Sequence, residues 1–206
     1  RDRLRSRGLG DVYKRQPKYK DLNGDGIIDT NDRTMIGRGL PIHTGGFTNN
    51  FEYKGFDLSV FFQWSYGNDV LNANRLFFDS GFQKKRELNQ YASYTDRWTP
   101  ENPNSNIPAA TNSSSNLVIS SRVVEDASFL RLKTVTLGYT VPKTFLKKYK
   151  IDNARLYVAA QNLWTITGYS GYDPEVSIRS GGLTPGLDFS SYPRALSVSF
   201  GINLGF

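Results

Sequence analysis

The 206-residue sequence has no cysteine, one histidine and one methionine. Without cysteine it forms neither disulfides nor thiolate metal sites, so the redox compartment leaves no mark on it. His43 has no second imidazole or thiolate to complete a zinc set and reads as a polar residue at a strand end. A Ser-His-Asp triad would need arbitrary partners for it, and no spacing supports one. No run of about 20 apolar residues occurs, which excludes a transmembrane helix. No signal peptide is visible either.

Positive charge is in excess, at +7, but it is unevenly placed. Residues 1–16 (RDRLRSRGLGDVYKRQ) hold six of the 26 Lys and Arg and two of the 19 Asp and Glu, which leaves +3 for the remainder. From Ser6 to Gln16 the string SRGLGDVYKRQ resembles the conceptual translation of a sequencing-library adapter, so residues 1–16 are set aside as a non-native scar. Beyond them the clearest basic cluster is Lys143, Lys147, Lys148 and Lys150, in a turn with Phe145, Leu146 and Tyr149. That segment reads as a short amphipathic turn with aromatics at an interface and lysines in water. No basic face suited to nucleic acid remains, and no nucleic-acid partner is expected.

What the chain does have is period-two alternation. In the last residues Leu196, Val198, Phe200, Ile202, Leu204 and Phe206 fall on one strand face, and small or polar residues fall on the other. Phe56, Leu58, Val60, Phe62, Trp64 and Tyr66 repeat the pattern, as do Phe47, Phe51 and Tyr53, with Lys54-Gly55 as a tight hairpin between these two strands. Two further strands are predicted at about 128–139 and 154–166. In the first of them the parity changes between Leu132 and Val135, which predicts a bulge near Thr134. An unbroken apolar face opposite a polar one is what a lipid-facing transmembrane strand requires. The low mean hydropathy, −0.49, agrees with a barrel whose lumen and loops are polar.

Long, irregular connections at 67–127 and 167–193 alternate with short ones at 54–55 and 141–153. Long loops outside the cell and short periplasmic turns are the asymmetry of outer-membrane barrels. Tyr53, Trp64, Tyr66, Tyr139 and Trp164 lie near strand ends, as interfacial girdles would. The expected fold class is therefore all-β: about five C-terminal antiparallel strands, in residues 43–206, of a large transmembrane β-barrel with long extracellular loops. Five strands cannot close a barrel, since known examples begin at about 8. The competing reading is a secreted carbohydrate-binding β-sandwich, in which the two apolar faces meet inside.

One segment carries site chemistry. Asp21-Leu-Asn-Gly-Asp-Gly-Ile-Ile-Asp-Thr-Asn-Asp32 has oxygen-bearing side chains at loop positions one, three, five, nine and twelve, with Gly26 at six. Calcium wants six to eight oxygens at such spacing, and Asp21, Asn23, Asp25, the Ile27 carbonyl, Asp29 and Asp32 would supply them. Position twelve is Asp instead of the usual Glu of an EF-hand, as in dockerin-type loops. Asn-Gly-Asp-Gly is also ordinary turn chemistry, but a turn alone does not require acids at positions nine and twelve. A calcium here would be structural. No catalytic residue is assigned: Asp173 and Glu175, flanking Pro174, could be drawn as a glycosidase pair but read as turn formers.

In their order these elements resemble the C-terminal end of SusC/RagA-type TonB-dependent outer-membrane transporters. The strings are DLNGDGIIDTNDRTMIG (21–37), FTNNFEYKGFDLSVFFQWSYGN (47–68), RWTPENPN (97–104), SFLRLKTVTLGYTVP (128–142), ARLYVAAQNL (154–163) and GYSGYDPEV (168–176), with Tyr192-Pro193 leading into the last strand. The resemblance implies a 22-stranded barrel with an N-terminal plug domain, in the outer membrane of a Gram-negative bacterium. It implies import of oligosaccharides or peptides, a SusD-like surface lipoprotein as lid, and energy from the TonB complex through an N-terminal region missing here. Residues 17–42 would form an extracellular loop. Phe200, Ile202, Leu204 and Phe206 would match the assembly signal read by the outer-membrane barrel insertion machinery. Substrate-contacting residues are unknown.

Overall fold

The computed structural model describes residues 17, 19–81, 89–111, 117–178 and 185–206. The scar assigned to residues 1–16 lies outside the described residues. The described residues divide into two compact units, one drawn from 38–70, 126–178, 185–186 and 191–206 and the other from 17–37, 71–81, 89–111, 117–125 and 187–190.

The first of these units is a five-stranded antiparallel sheet. Its strands are β1 (His43–Tyr53), β2 (Phe56–Tyr66), β5 (Phe129–Thr140), β6 (Asn153–Thr167) and β8 (Ser197–Gly205), hydrogen-bonded in that order. These are the five strands that alternation predicts, and the sheet they form is open at β1 and β8. Lys54 and Gly55 both take positive φ, 48° and 87°. In a two-residue loop that conformation matches the twist of the strands it joins. The predicted bulge is at Lys133, which is skipped between Leu132 and Thr134 in the pairing with both neighbours. Opposite it Asn162 and Leu163 are skipped, and Asn162 takes φ 55°. One bulge thereby brings Leu130 and Leu132 onto the same face as Val135, Leu137 and Tyr139.

Register makes that face continuous across all five strands. One row reads Phe51, Leu58, Leu137, Val158 and Phe200, and the next reads Tyr53, Phe56, Tyr139, Leu156 and Ile202. The side chains stand free: Phe200 is 79% and Ile202 65% exposed. The opposite face reads Glu52, Asp57, Gly138, Tyr157 and Gly201 in one row and Asn50, Ser59, Thr136, Ala159 and Ser199 in another. On this polar side Arg155 reaches over β5 to form an ion pair with Asp57, its Nε 3.1 Å from Oδ1. Gly138 lies beneath that bridge, where any Cβ would strike both partners. The Tyr157 ring covers Gly201 in the same way.

The other unit builds its order from short elements. Leu71 and Asn72, in β3 (Asp69–Asn72), run parallel to β7 (Leu187–Asp188), and β4 (Val124–Asp126) flanks β3 on its other edge. The helix α1 (Ala73–Phe78) follows, capped by the Asn72 side chain, which accepts from Arg75 N at 3.3 Å. Arg75 pairs with Asp79 at 3.2 Å and with Glu125 at 3.3 Å. Asp79 also accepts from Ser93 Oγ at 3.1 Å, and Asn74 Oδ1 accepts from Ser190 N at 2.7 Å. The described residues between 67 and 127 thus hold structure where an irregular loop is expected. Elements of three to six residues are too short to show a period, and polar groups, Asn72, Asn74, Asp79 and Asp188, are buried around them beside the apolar Ala73, Leu76 and Val123.

Candidate functional site at the long-loop end

Three arrangements near the long connections carry charge in unusual density. In the sheet unit, Arg131 lies on the polar face of β5 with its side chain 3% exposed. Its Nη2 donates to Asp173 Oδ1 at 2.6 Å, its Nη1 to Glu175 Oε2 at 3.0 Å, and its Nε to Thr165 Oγ1 at 3.0 Å. All three donor nitrogens are therefore engaged, and the guanidinium lies 5.2 Å from the Phe129 ring. Arg194, just before β8, adds a second cation to Glu175 at 3.0 Å. Its backbone N–H donates to Asp173 Oδ2 at 3.0 Å. Lys133 at the bulge donates to Gln63 Oε1 at 2.7 Å and lies 3.9 Å from Glu175.

Burial opposes ionisation of Asp173. The N–H groups of Glu175 and Arg194, together with Arg131, outweigh it and hold the carboxyl below the usual aspartate range. The acids that read as turn formers, or as a hydrolase pair, are thus both bound to arginine, and their segment is tied to the inner face of the sheet. A sequence reading misses this because Arg131 and Asp173 are 42 residues apart. The available signal is a cation at inward parity near the start of a strand.

In the other unit, the acidic loop is closed by its own N–H groups. Asp21 accepts from Gly24 N (2.6 Å) and Gly26 N (2.8 Å), Asn23 from Asp25 N (2.9 Å), and Asp25 from Ile27 N (2.7 Å). Asp29 accepts from Asn31 N at 2.7 Å. Asp32 ties the ends together, accepting from Leu22 N at 2.7 Å and from Asp29 N at 2.9 Å. Those donors hold its carboxyl below the usual range, the Asp29 N–H foremost. Gly24 and Gly26 turn with φ 78° and 81°, a region that favours glycine. Among the described residues no three acid or imidazole side chains already converge as a metal cage.

A cleft of about 1770 Å³ lies in the same unit, with Tyr19, Lys20, Arg33, Arg75, Trp98 and Arg122 among its walls. Burial pulls the Arg122 guanidinium below its usual range, against the attraction of Asp79 and with the repulsion of Arg75. His43 lies at the start of β1, its Nδ1 accepting from Trp64 Nε1 at 3.2 Å and its ring stacked on Tyr66. It is the strand-end polar residue expected. Of the expected assembly-signal residues, Phe200, Ile202 and Leu204 share the apolar face of β8, and Phe206 follows that strand.

An apolar face continuous through five registered strands, opposite a polar face crossed by ion pairs, defines the wall of a membrane-spanning β-barrel. The sequence is 39% identical over 91% of its length to TonB-dependent receptor P3 of Formosa agariphila. It is 29% identical over 91% of its length to TonB-dependent receptor SusC of Bacteroides thetaiotaomicron. It covers 19% and 17% of those two proteins. The solved structure of the RagAB peptide importer in its open-open state superposes with a TM-score of 0.77 at 29% identity, over 94% of this chain and 21% of the importer chain. No family model matches. The chain belongs to the SusC/RagA-type TonB-dependent receptors and spans about a fifth of the length of such a protein.

Proposed function

We propose that this chain forms part of the wall and loop system of an outer-membrane transporter that imports oligosaccharides or peptides with energy delivered through TonB. The observation that carries this reading is the registered apolar face on a chain homologous to TonB-dependent receptors. The short turns would face the periplasm. The long connections, residues 17–42 among them, would face outward beneath a SusD-like lipoprotein. The work is transport and not catalysis. In a sandwich domain the apolar rows would meet a second sheet, whereas among the described residues no element of the sheet unit covers Phe200 or Ile202. The test is to recover the full-length gene. The protein is expected to float with lipid vesicles and to co-purify with a SusD-like lipoprotein encoded beside it; recovery in the soluble fraction without detergent sinks the proposal.

The acidic loop is proposed to hold a structural calcium. Its donor set is right for a hard cation, because Asp21, Asn23 and Asp25 keep oxygen lone pairs beyond those used by N–H groups and Ile27 adds a carbonyl. Exposure of residues 22–31 leaves room for water as a further ligand. A bound calcium would stiffen residues 21–32 and contribute no open coordination position to chemistry. Calcium is expected to slow protease cleavage within this loop of the full-length protein, and Asp25→Ala with Asp29→Ala to remove that protection. Equal cleavage of both proteins with and without calcium would leave turn formation as the loop's whole role.

A further inference from the structure

The short connection between β5 and β6 is ordered and strongly cationic. Helix α2 (Lys143–Leu146) continues into a 3-10 turn over Lys147–Tyr149, and Lys150 closes it in the left-handed region with φ 56°. Leu146 is buried, and Ile151 N and Lys150 N return hydrogen bonds to Leu146 O and Lys147 O. Around that anchor Lys143, Lys147, Lys148 and Lys150 are exposed. None of the four forms an ion pair with a carboxylate of the described residues. Lys143 and Lys147 stand four residues apart, a like-charge spacing that weakens a helical turn.

Aromatics accompany the lysines. Phe145 is 70% and Tyr149 67% exposed, and the Lys148 ammonium lies 6.0 Å from the Tyr149 ring. At the same end of the sheet Tyr53, Phe56 and Tyr139 stand side by side on the apolar face, with Phe56 and Tyr139 centred 4.6 Å apart. Lys54 in the neighbouring turn holds its ammonium 5.0 Å from the Tyr53 ring. Ala154 shares the outward parity of Leu156 and Val158 but is buried, and α2 is packed against β6. The turn therefore sits at the rim beside the apolar face.

Aromatic rings at a membrane boundary with lysines just beyond them are what a charged headgroup layer selects. We propose that this rim is a docking surface for the headgroups of anionic glycerophospholipids, with Phe145 and Tyr149 in the interface and the four lysines on phosphate. The proposal rests on the outer-membrane reading, which puts this end of the barrel against the inner, phospholipid leaflet. Its effect would be to fix the depth and tilt of the wall at β5 and β6.

The test uses the full-length transporter in mild detergent, offered equal amounts of phosphatidylglycerol and phosphatidylcholine with the same acyl chains, with bound lipid counted by native mass spectrometry. The wild type is expected to retain phosphatidylglycerol over phosphatidylcholine by about fivefold or more. Lys143→Gln, Lys147→Gln, Lys148→Gln and Lys150→Asn together are expected to bring the ratio near parity, Asn being chosen to suit the left-handed position. Arginine at all four positions is expected to keep the preference, which separates charge from folding. Parity in the wild type, or an unchanged preference in the neutral variant, overturns the lipid surface alone. A wild-type protein that fails to insert into vesicles overturns the membrane reading and the proposal with it.

Discussion

Replacing Arg131 with methionine is expected to destabilise the sheet unit by about 3–5 kcal/mol, the cost of leaving the buried Asp173 carboxylate without its cation. It is also expected to free the segment around Asp173 and Glu175. Among the described residues the guanidinium is the only group that touches Asp173, Glu175 and Thr165 together. Without it Asp173 keeps, among the described residues, the N–H groups of Glu175 and Arg194. Lysine is not a substitute, because one ammonium cannot present the three fixed donors used here. Arg194→Gln should cost about 1 kcal/mol or less, since that side chain is 48% exposed and water screens its pair. The measurements are the urea midpoint of the full-length protein in lipid vesicles and the rate of protease cleavage within residues 168–178.

Acid should act on the same contact. Asp173 is held below its ordinary value in the folded state. A depressed carboxyl contributes its stability in full above the unfolded value, about 3.9, and loses it as pH falls through the folded one. Protease resistance of this segment is therefore expected to be level from pH 7 to pH 5 and to fall only on acidification below about pH 4. In Arg131→Met the segment should already be open at neutral pH. Equal resistance of the two proteins at pH 7 would show that the segment is held elsewhere.

The strands were legible because a membrane wall imposes one rule on every residue. Alternation along Phe56–Tyr66 gives β2 to the residue, and the parity change after Leu132 marks the bulge. A lipid-facing surface favours apolar side chains at every outward position, and Asn49, opposite Val60, is the polar residue that interrupts the run on β1. The loops follow no such rule. β3, α1 and β4 are short, and their contacts join polar groups far apart in the chain, such as Asn72 with Glu125 and Asn74 with Ser190. Nothing periodic announces them. The charged site is intermediate: Asp173 and Glu175 are visible as acids and Arg131 as an inward cation, but their meeting depends on a fold-back that the sequence does not mark. The turns of the acidic loop are easier to read, because its spacing is local and each acid accepts from a donor within eleven residues.

Val60 offers the sharpest discrimination between a lipid-facing wall and a buried core. It sits midway along β2, opposite Asn49 in β1 and Val135 in β5, on the apolar face. Arginine there would lie near the bilayer midplane and is expected to cost about 2–4 kcal/mol. That loss alone does not identify the solvent, because a soluble core would reject arginine as well. Phenylalanine separates the two. In a packed core the added volume would cost about 1–3 kcal/mol, whereas lipid chains part to receive it and stability should stay level. At the neighbouring inward position Ser59→Arg should be mild, since that side chain projects into a wet lumen. The three variants are compared by urea unfolding of the full-length protein from lipid vesicles. If Val60→Phe is as damaging as Val60→Arg, the apolar rows are packed against protein and not lipid.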